Sequence, residues 1–92
     1  MQYIQVDEDQ QLVFAQTKIP DIVLDECLIR VQAIGVNRAD TLQRQGLYPA
    51  PKGESTILGL EVSGDIVQCG DNVKHWHVND KVFGLVAGGA YA

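Results

Sequence analysis

The chain has 92 residues, of which 46% are hydrophobic and 21% are charged, and its 7 Lys and Arg against 12 Asp and Glu give a net charge of 7 − 12 = −5. These proportions are typical of one globular domain with a modest core. Nucleic acids and anionic membranes bind concentrated positive patches, and no basic cluster here is longer than a pair, so we expect neither as a partner. No apolar run approaches the ~20 residues that cross a bilayer.

The N-terminal half predicts three strands. "MQYIQV" and "QLVFAQT" are short apolar runs on either side of the polar "DEDQ", which predicts a β-hairpin. "CLIRVQAIGVN" then alternates Leu28, Arg30 and Gln32 with Ile29 and Val31, and this period of two predicts a half-buried strand.

A change of pattern follows at Arg38. "RADTLQRQG" is rich in helix formers and predicts one short helix of about two turns that stops at Gly46, followed by the loop "LYPAPKGES". "TILGLEVSGDIVQCGDNV" and "HVNDKVFGLV" return to strand periodicity, and the glycines of the first segment indicate bends or bulges. We therefore predict a mainly β fold, a partly open barrel or curved sandwich with one short helix.

The two cysteines form no redox or metal motif in the sequence. Cys27 and Cys69 stand 69 − 27 = 42 positions apart, and Met1 is followed by polar and acidic residues instead of a signal peptide. A cytoplasmic location and free thiols are favoured on this pattern, although the sequence alone also permits a disulfide.

Two further motifs lack the residues that their chemistry needs. "GLEVSG" has the outer spacing of a phosphate-binding loop, but Asp65 and Ile66 stand where Lys and Ser or Thr are required. "HWH" places His75 and His77 on one face of an extended segment, but no third ligand lies nearby to complete a metal site. We expect surface histidines in a polar turn and no metal.

The segment "VNRADTLQRQG" is open to two interpretations. Asn37 is a favourable helix N-cap, and Asp40 falls in the first turn, where the helix dipole stabilises a negative charge. On pattern alone the structural interpretation, a cap, is favoured. The same residues remain candidates for contact with a ligand.

Taken together, "IGVNRADTLQRQGLYPAPKG", "ILGLEVSGDIVQCGDNV" and "NDKVFGLVAGGAYA" resemble the N-terminal part of the NAD(P)H:quinone oxidoreductases, the zeta-crystallin-like branch of the medium-chain dehydrogenase/reductase superfamily. The resemblance spans residues 27–92 and implies that residues 1–92 form the first part of a GroES-like catalytic domain. The sequence contains no GxGxxG and no long βαβ pattern, so the Rossmann domain of such enzymes is absent from this chain. We expect a fragment that is inactive alone, taken from an intact enzyme that is homodimeric.

The resemblance also implies an activity, the transfer of hydride or electrons from NADPH to a quinone or enone. Asn37, Arg38 and Asp40 would belong to the cofactor site, with Arg38 near the phosphates and Asp40 orienting Asn37 or Arg38. Tyr48 matches a tyrosine above the cleft and, with Asn37, would act in catalysis. The alternative for Tyr48 is a phenol packed on the helix with its tip in water.

Zinc-dependent relatives have Cys at the position of Asn37 and His at the position of Leu60. Neither residue of this sequence is a suitable zinc ligand, so a catalytic zinc is not expected. Glu61, in the GxExxG motif, is expected to be structural and paired to an arginine. The second functional hypothesis is a stand-alone GroES-like interaction module without catalysis.

Overall fold

The computed structural model describes all residues from Met1 to Ala92. The elements in chain order are β1 Gln2–Val6, β2 Leu12–Gln16, β3 Cys27–Ile34, α1 Arg38–Arg44, β4 Glu61–Cys69 and β5 Lys81–Leu85. The prediction of a mainly β fold with one short helix is confirmed. The strands form one two-stranded and one three-stranded antiparallel sheet, and no closed barrel is present.

The predicted hairpin is present as β1 paired with β2, with Gln2 opposite Gln16 and Val6 opposite Leu12. Its turn is built by Asp7, whose carboxylate accepts hydrogen bonds from the backbone N–H groups of Asp9 and Gln11, each at 2.9 Å. Short polar side chains that bond to nearby backbone favour turns over strands. The acidic segment therefore fixes the hairpin register.

The larger sheet has the order β3-β4-β5, with β5 at its edge. The β3–β4 ladder contains two register shifts, between Leu28 and Ile29 and between Val31 and Ala33. The second lies beside Gly64, which agrees with the predicted bulge. β4 begins only at Glu61, because Gly59 adopts φ 103, a value that breaks strand geometry.

Helix α1 begins and ends where the sequence predicts. Its cap residue Asn37 has extended backbone angles, and Gly46 beyond its C-terminus adopts φ 77. A positive φ is readily accessible to glycine and ends helices in this position. The Gln43 amide donates to the Thr56 carbonyl oxygen at 3.2 Å and ties the helix to the loop before β4.

A segment after β5 holds the two sheets together. Val86 N–H donates to Leu60 O at 2.8 Å, and Tyr91 N–H donates to Leu58 O at 2.9 Å. The Tyr91 carbonyl oxygen then accepts from Ile4 N–H of β1 at 2.9 Å. Residues 86–91 thus link the hairpin to the three-stranded sheet, and a small core forms beneath them from Leu58, Val62, Ile66 and Ala90.

Much apolar surface is left uncovered. Phe83 and Leu85 of the edge strand β5 are 89% and 80% exposed. The molecule is elongated, with principal extents of 42 × 22 × 20 Å. Its only helix, of seven residues, is too short to cross a membrane.

Candidate active site

The turn from β3 into α1 carries three of the four residues that the sequence singles out. Asn37 and Asp40 form a capping box, in which Asn37 N–H donates to Asp40 Oδ2 at 3.0 Å and the Asn37 side chain faces the Asp40 N–H. Asp40 N–H also donates to the Asn37 carbonyl oxygen at 3.0 Å. The Asn37 side chain itself makes no cap hydrogen bond of standard geometry. Of the two side chains, Asp40 is therefore the one committed to the cap.

Asp40 lies at the centre of this turn and is only 2% exposed. Its Oδ2 accepts a second hydrogen bond, from the Tyr91 phenol at 3.1 Å, whereas its Oδ1 has no partner. Burial, the hydrogen bond to Asp40 and the negative charge of Asp40 raise the pKa of Tyr91 to about 12. Each of these effects disfavours a phenolate beside the carboxylate. Tyr91 therefore remains a proton donor to Asp40 at neutral pH.

Asn37 and Arg38 differ from Asp40 in that both are exposed. Arg38 takes part in no ion pair, since the ion pairs of the chain are Lys18–Asp21, His77–Asp80 and Lys81–Asp65. Neither the Asn37 amide nor the Arg38 guanidinium donates to a protein acceptor, so both keep their hydrogen-bond donors available. The turn thus presents two free polar side chains on a backbone that the buried Asp40 holds in place.

Tyr48 stands on the loop after α1, 44% exposed, and its hydroxyl has no hydrogen-bond partner in the chain. The structure therefore leaves the phenol free to donate to a ligand. The alternative of a phenol partly packed with its tip in water also fits this exposure.

A groove runs beside the same turn. It has a volume of about 530 Å³. Its lining consists of Ala33–Gly35, Glu61–Ser63 and Phe83–Leu85. Most of this lining is apolar, and Glu61 is its one charged residue, so the groove suits a largely apolar molecule with few polar atoms.

The expected pairing of Glu61 with an arginine is wrong. Glu61 makes no ion pair, and its side chain packs against Gly35, where a Cβ would overlap the carboxylate oxygen Oε1. A Cβ at position 35 would therefore require the Glu61 carboxylate, the end of a flexible and exposed side chain, to move. This contact joins the end of β3 to the start of β4.

The two histidines of the HWH motif lie at the surface, as the sequence predicts. His75 and His77 are both exposed in the loop before β5, and His77 Nδ1 is 3.8 Å from Asp80 Oδ2. No three His, Cys, Asp or Glu side chains lie close enough together to hold a metal ion.

Tyr91 is the residue of this region that sequence reasoning missed. It is 91 − 40 = 51 positions from Asp40, and no local pattern links the two. A tyrosine in a Gly-rich segment gives no signal of its partner. Only the path of residues 86–91 across the sheet brings the phenol to the cap.

Comparison with known proteins assigns the architecture. Residues 24–91 match the profile of the family described as Alcohol dehydrogenase GroES-like domain. Among curated relatives, acryloyl-coenzyme A reductase of Sulfurisphaera tokodaii is 45% identical over 62 residues, covering 67% of this chain and 18% of that enzyme. Quinone oxidoreductase 1 of Escherichia coli is 41% identical over 69 residues, covering 74% of this chain and 21% of that enzyme.

Solved structures of related enzymes contain the same fold. The crystal structure of Escherichia coli quinone oxidoreductase complexed with NADPH superposes with a TM-score of 0.70 at 32% identity, over 89% of this chain and 25% of that one. The chain spans about a fifth of the length of the curated relatives it matches.

Proposed function

Because the chain belongs to the alcohol dehydrogenase GroES-like domain family, we propose that it supplies the N-terminal part of the catalytic domain of an oxidoreductase that reduces a quinone with NADPH. The observation that carries the proposal is the turn at Asn37–Asp40. There, two exposed donors are held by a buried carboxylate next to an apolar groove. The resemblance to enzymes named quinone oxidoreductase supports the same assignment.

NADPH, when bound, supplies the hydride that the acceptor receives. The residues present fit such a cofactor, because the Asn37 amide and the Arg38 guanidinium are exposed and have no protein partners of standard geometry. A guanidinium is suited to phosphate oxygens, which it can bind through two hydrogen bonds at once. We propose that Arg38 binds a phosphate of the dinucleotide and Asn37 the nicotinamide side.

Asp40 acts on this site through the backbone. With 2% exposure it is too deeply buried to contact a cofactor directly, and its Oδ2 holds Asn37 N–H at 3.0 Å. We therefore propose a positioning role, in which Asp40 fixes the orientation of Asn37 and Arg38. A group held rigidly before the ligand binds costs less ordering entropy on binding.

The groove and Tyr48 would serve the acceptor. Hydride transfer to a quinone or an enone places negative charge on a carbonyl oxygen, and a hydrogen-bond donor aimed at that oxygen stabilises the transition state. The Tyr48 phenol is free to be that donor. Quinone with NADPH and one proton gives hydroquinone and NADP⁺, so the electrons and atoms balance without another co-reactant.

We further propose that this catalysis requires no zinc. Leu60 has no atom that can bind a metal, and the neutral Asn37 amide is a poor zinc ligand. Stabilisation of the acceptor oxygen would then depend on hydrogen bonds alone.

The experiment is an assay of the intact enzyme that carries this sequence at its N-terminus. We expect NADPH oxidation with a soluble naphthoquinone. Arg38→Ala should raise the KM for NADPH by about tenfold, because the loss of one charge-assisted hydrogen bond costs about 1.5 kcal/mol. Steady-state kinetics with each substrate varied in turn will measure this change.

Lys74→Ala is the matched control, since Lys74 is an exposed cation in a loop without an ion pair. Its KM should stay within twofold of the wild-type value. Equal effects of the two substitutions would contradict the role of Arg38.

A preference for an α,β-unsaturated thioester over every quinone would replace quinone by enone as the acceptor. Absence of NADPH oxidation with both classes would favour the non-catalytic interaction module.

A further inference from the structure

Cys27 and Cys69 face each other across the β3–β4 ladder. They are register partners, and the Cys27 thiol donates to Cys69 Sγ at a sulfur–sulfur distance of 3.8 Å. Both thiols are free. The pair therefore needs only small side-chain rotations to reach bonding distance.

The backbone between them has the spacing that a disulfide requires. Gly70 N–H donates to Glu26 O at 2.8 Å, which makes Glu26 and Gly70 a hydrogen-bonded pair. Paired residues in an antiparallel ladder alternate, so the next pair, Cys27 and Cys69, is non-hydrogen-bonded. Cα atoms of such pairs lie about 4.5 Å apart, within the range of roughly 4.4–6.8 Å that disulfides span.

The thiols are also accessible to small molecules. Both are half-buried, and Cys27 lines a cavity of about 170 Å³ together with Ile29 and Trp76. The Cys69 thiol donates to the Trp76 carbonyl oxygen at 3.6 Å. A small oxidant that enters this cavity meets the Cys27 sulfur beside Trp76, the only tryptophan of the chain.

We propose that Cys27 and Cys69 form a reversible disulfide when the folded chain meets a low-molecular-weight disulfide such as oxidised glutathione. The Cys27 thiolate attacks one sulfur of oxidised glutathione, whose S–S bond breaks and releases one glutathione thiolate. The Cys69 sulfur, having lost its proton to solvent, then attacks the Cys27 sulfur and displaces the second glutathione. Two protein thiols are oxidised, and one glutathione disulfide is reduced to two thiols.

The surroundings of Cys69 suit it to the second of these steps. Partial burial and the negative charges of Cys27 and Asp80 raise the pKa of Cys69. A thiol that is less often a thiolate reacts slowly with a dissolved disulfide. Cys69 can nevertheless attack the adjacent Cys27 sulfur, because that attack occurs within one molecule.

This inference stands apart from the proposed reaction. The pair lies at the opposite end of β3 from Ile34, 34 − 27 = 7 residues away, or about 23 Å at 3.3 Å per residue. Oxidation should therefore change the surroundings of Trp76 first, because the Trp76 carbonyl oxygen loses the hydrogen bond from the Cys69 thiol. The site at Asn37–Asp40 is not part of the proposal.

The test treats the 92-residue chain with oxidised glutathione at neutral pH, quenches with acid, and measures free thiols and intact mass. We expect the loss of both thiols, with the mass reduced by two hydrogen atoms and no retained glutathione. The emission of Trp76 should fall on oxidation and recover with dithiothreitol, since a disulfide quenches a nearby indole. Cys69→Ser should retain one glutathione on Cys27 instead, and Cys27→Ser should acquire one on Cys69 more slowly.

A parallel reaction in urea separates a folded pair from two random thiols. In urea the thiols are separated by a long flexible loop, so ring closure should slow at least tenfold and the mixed disulfide should accumulate. Equal closure rates in buffer and in urea would overturn the proposal. So would two glutathione adducts on one chain, or dimers linked by an intermolecular disulfide, in buffer.

Discussion

Asp40 connects three parts of the molecule through one carboxylate. It holds the backbone of the turn before α1, begins the helix, and accepts from the Tyr91 phenol on the segment after β5. Oδ1 has no hydrogen-bond partner within the chain, so Oδ2 makes all of the contacts between this carboxylate and protein donors. Removal of this carboxylate would therefore leave both donors without their acceptor.

Substitution of Asp40 should therefore be costly. Asp40→Ala leaves Asn37 N–H and the Tyr91 hydroxyl without their acceptor, and we expect a loss of about 2–4 kcal/mol in the free energy of unfolding. Asp40→Asn should lose less than half as much, because its amide oxygen can accept both bonds. Urea unfolding followed by circular dichroism measures these losses.

Asp25→Ala removes a carboxylate from an exposed loop position and is the control. It should change stability by less than about 0.5 kcal/mol. A comparable loss in both alanine variants would show that net charge, and not the cap, sets the effect.

The raised pKa of Tyr91 predicts a pH dependence. The folded chain holds the phenol proton up to about pH 12, whereas an unfolded tyrosine releases it near pH 10. The folded state therefore binds more protons in this interval, and its stability falls as pH rises from about 10 to 12.

Tyr91→Phe removes both the hydrogen bond to Asp40 and the phenol that titrates. The wild type should be more stable than this variant by roughly 1 kcal/mol at pH 8, and the difference should shrink as pH rises through 10–12. Guanidinium unfolding of both chains at several pH values measures it. A difference that stays constant with pH would mean that the hydroxyl makes no bond to Asp40 in solution.

At the scale of the elements, the β3–β4 ladder depends on a glycine. A Cβ at Gly64 would overlap the carbonyl oxygen of Arg30 on the paired strand. That oxygen belongs to the backbone, so it can move only if the strands separate. Gly84 of β5 lies in the same sheet and has open space around it.

The two glycines form a matched pair for substitution. Gly64→Ala should destabilise the chain by more than about 2 kcal/mol, because the ladder must open. Gly84→Ala should change stability by less than about 1 kcal/mol, since alanine restricts the unfolded chain and meets nothing in the folded one. Thermal unfolding measures the stability of both variants. Similar losses of stability at the two positions would contradict the steric explanation.

The sequence predicts which strands and helix form better than it predicts the residues at which they begin and end. The hairpin, the helix and its stop at Gly46 follow from local residue chemistry, which acts over a few positions. The sequence predicts strand periodicity over residues 56–73, with bends at its glycines, but β4 covers only Glu61–Cys69. Gly59 takes a positive φ before the strand, and a turn at Asp71 and Asn72 follows it. Partners such as Tyr91 for Asp40, or Cys27 for Cys69, are set by the path of the chain and not by spacing.

The same limit applies to the candidate site. Asn37, Arg38 and Asp40 were identified from one motif, and the structure gives them different surroundings, with the first two exposed and the third buried. No pattern in the sequence distinguishes a buried cap carboxylate from an exposed one. Burial depends on residues 86–91, which are remote in the chain.

At the scale of the whole molecule, β5 leaves its outer edge unpaired and carries the exposed Phe83 and Leu85. Unpaired edges with apolar side chains promote association between chains. We expect the 92-residue chain to self-associate at micromolar concentration. A double substitution, Phe83→Lys with Leu85→Lys, should shift it toward monomer in sedimentation velocity.

Ile19→Lys with Val23→Lys is the matched control, because it adds the same charge at exposed apolar positions in the loop before β3. It should leave the association unchanged. If both double variants reduced self-association equally, the cause would be the change in net charge and not the exposed edge of β5. A discrete ring of many subunits in the wild type would instead favour the interaction module.

The three contacts of Tyr91 also determine when this fold can be completed. Tyr91 bonds Ile4, Asp40 and Leu58, at sequence separations of 91 − 4 = 87, 51 and 91 − 58 = 33 residues. Contacts between distant residues are slow to form, because a long loop must close before any stabilisation is gained. During synthesis the hairpin and α1 can therefore form early, but they can dock only after residue 91 has left the ribosome.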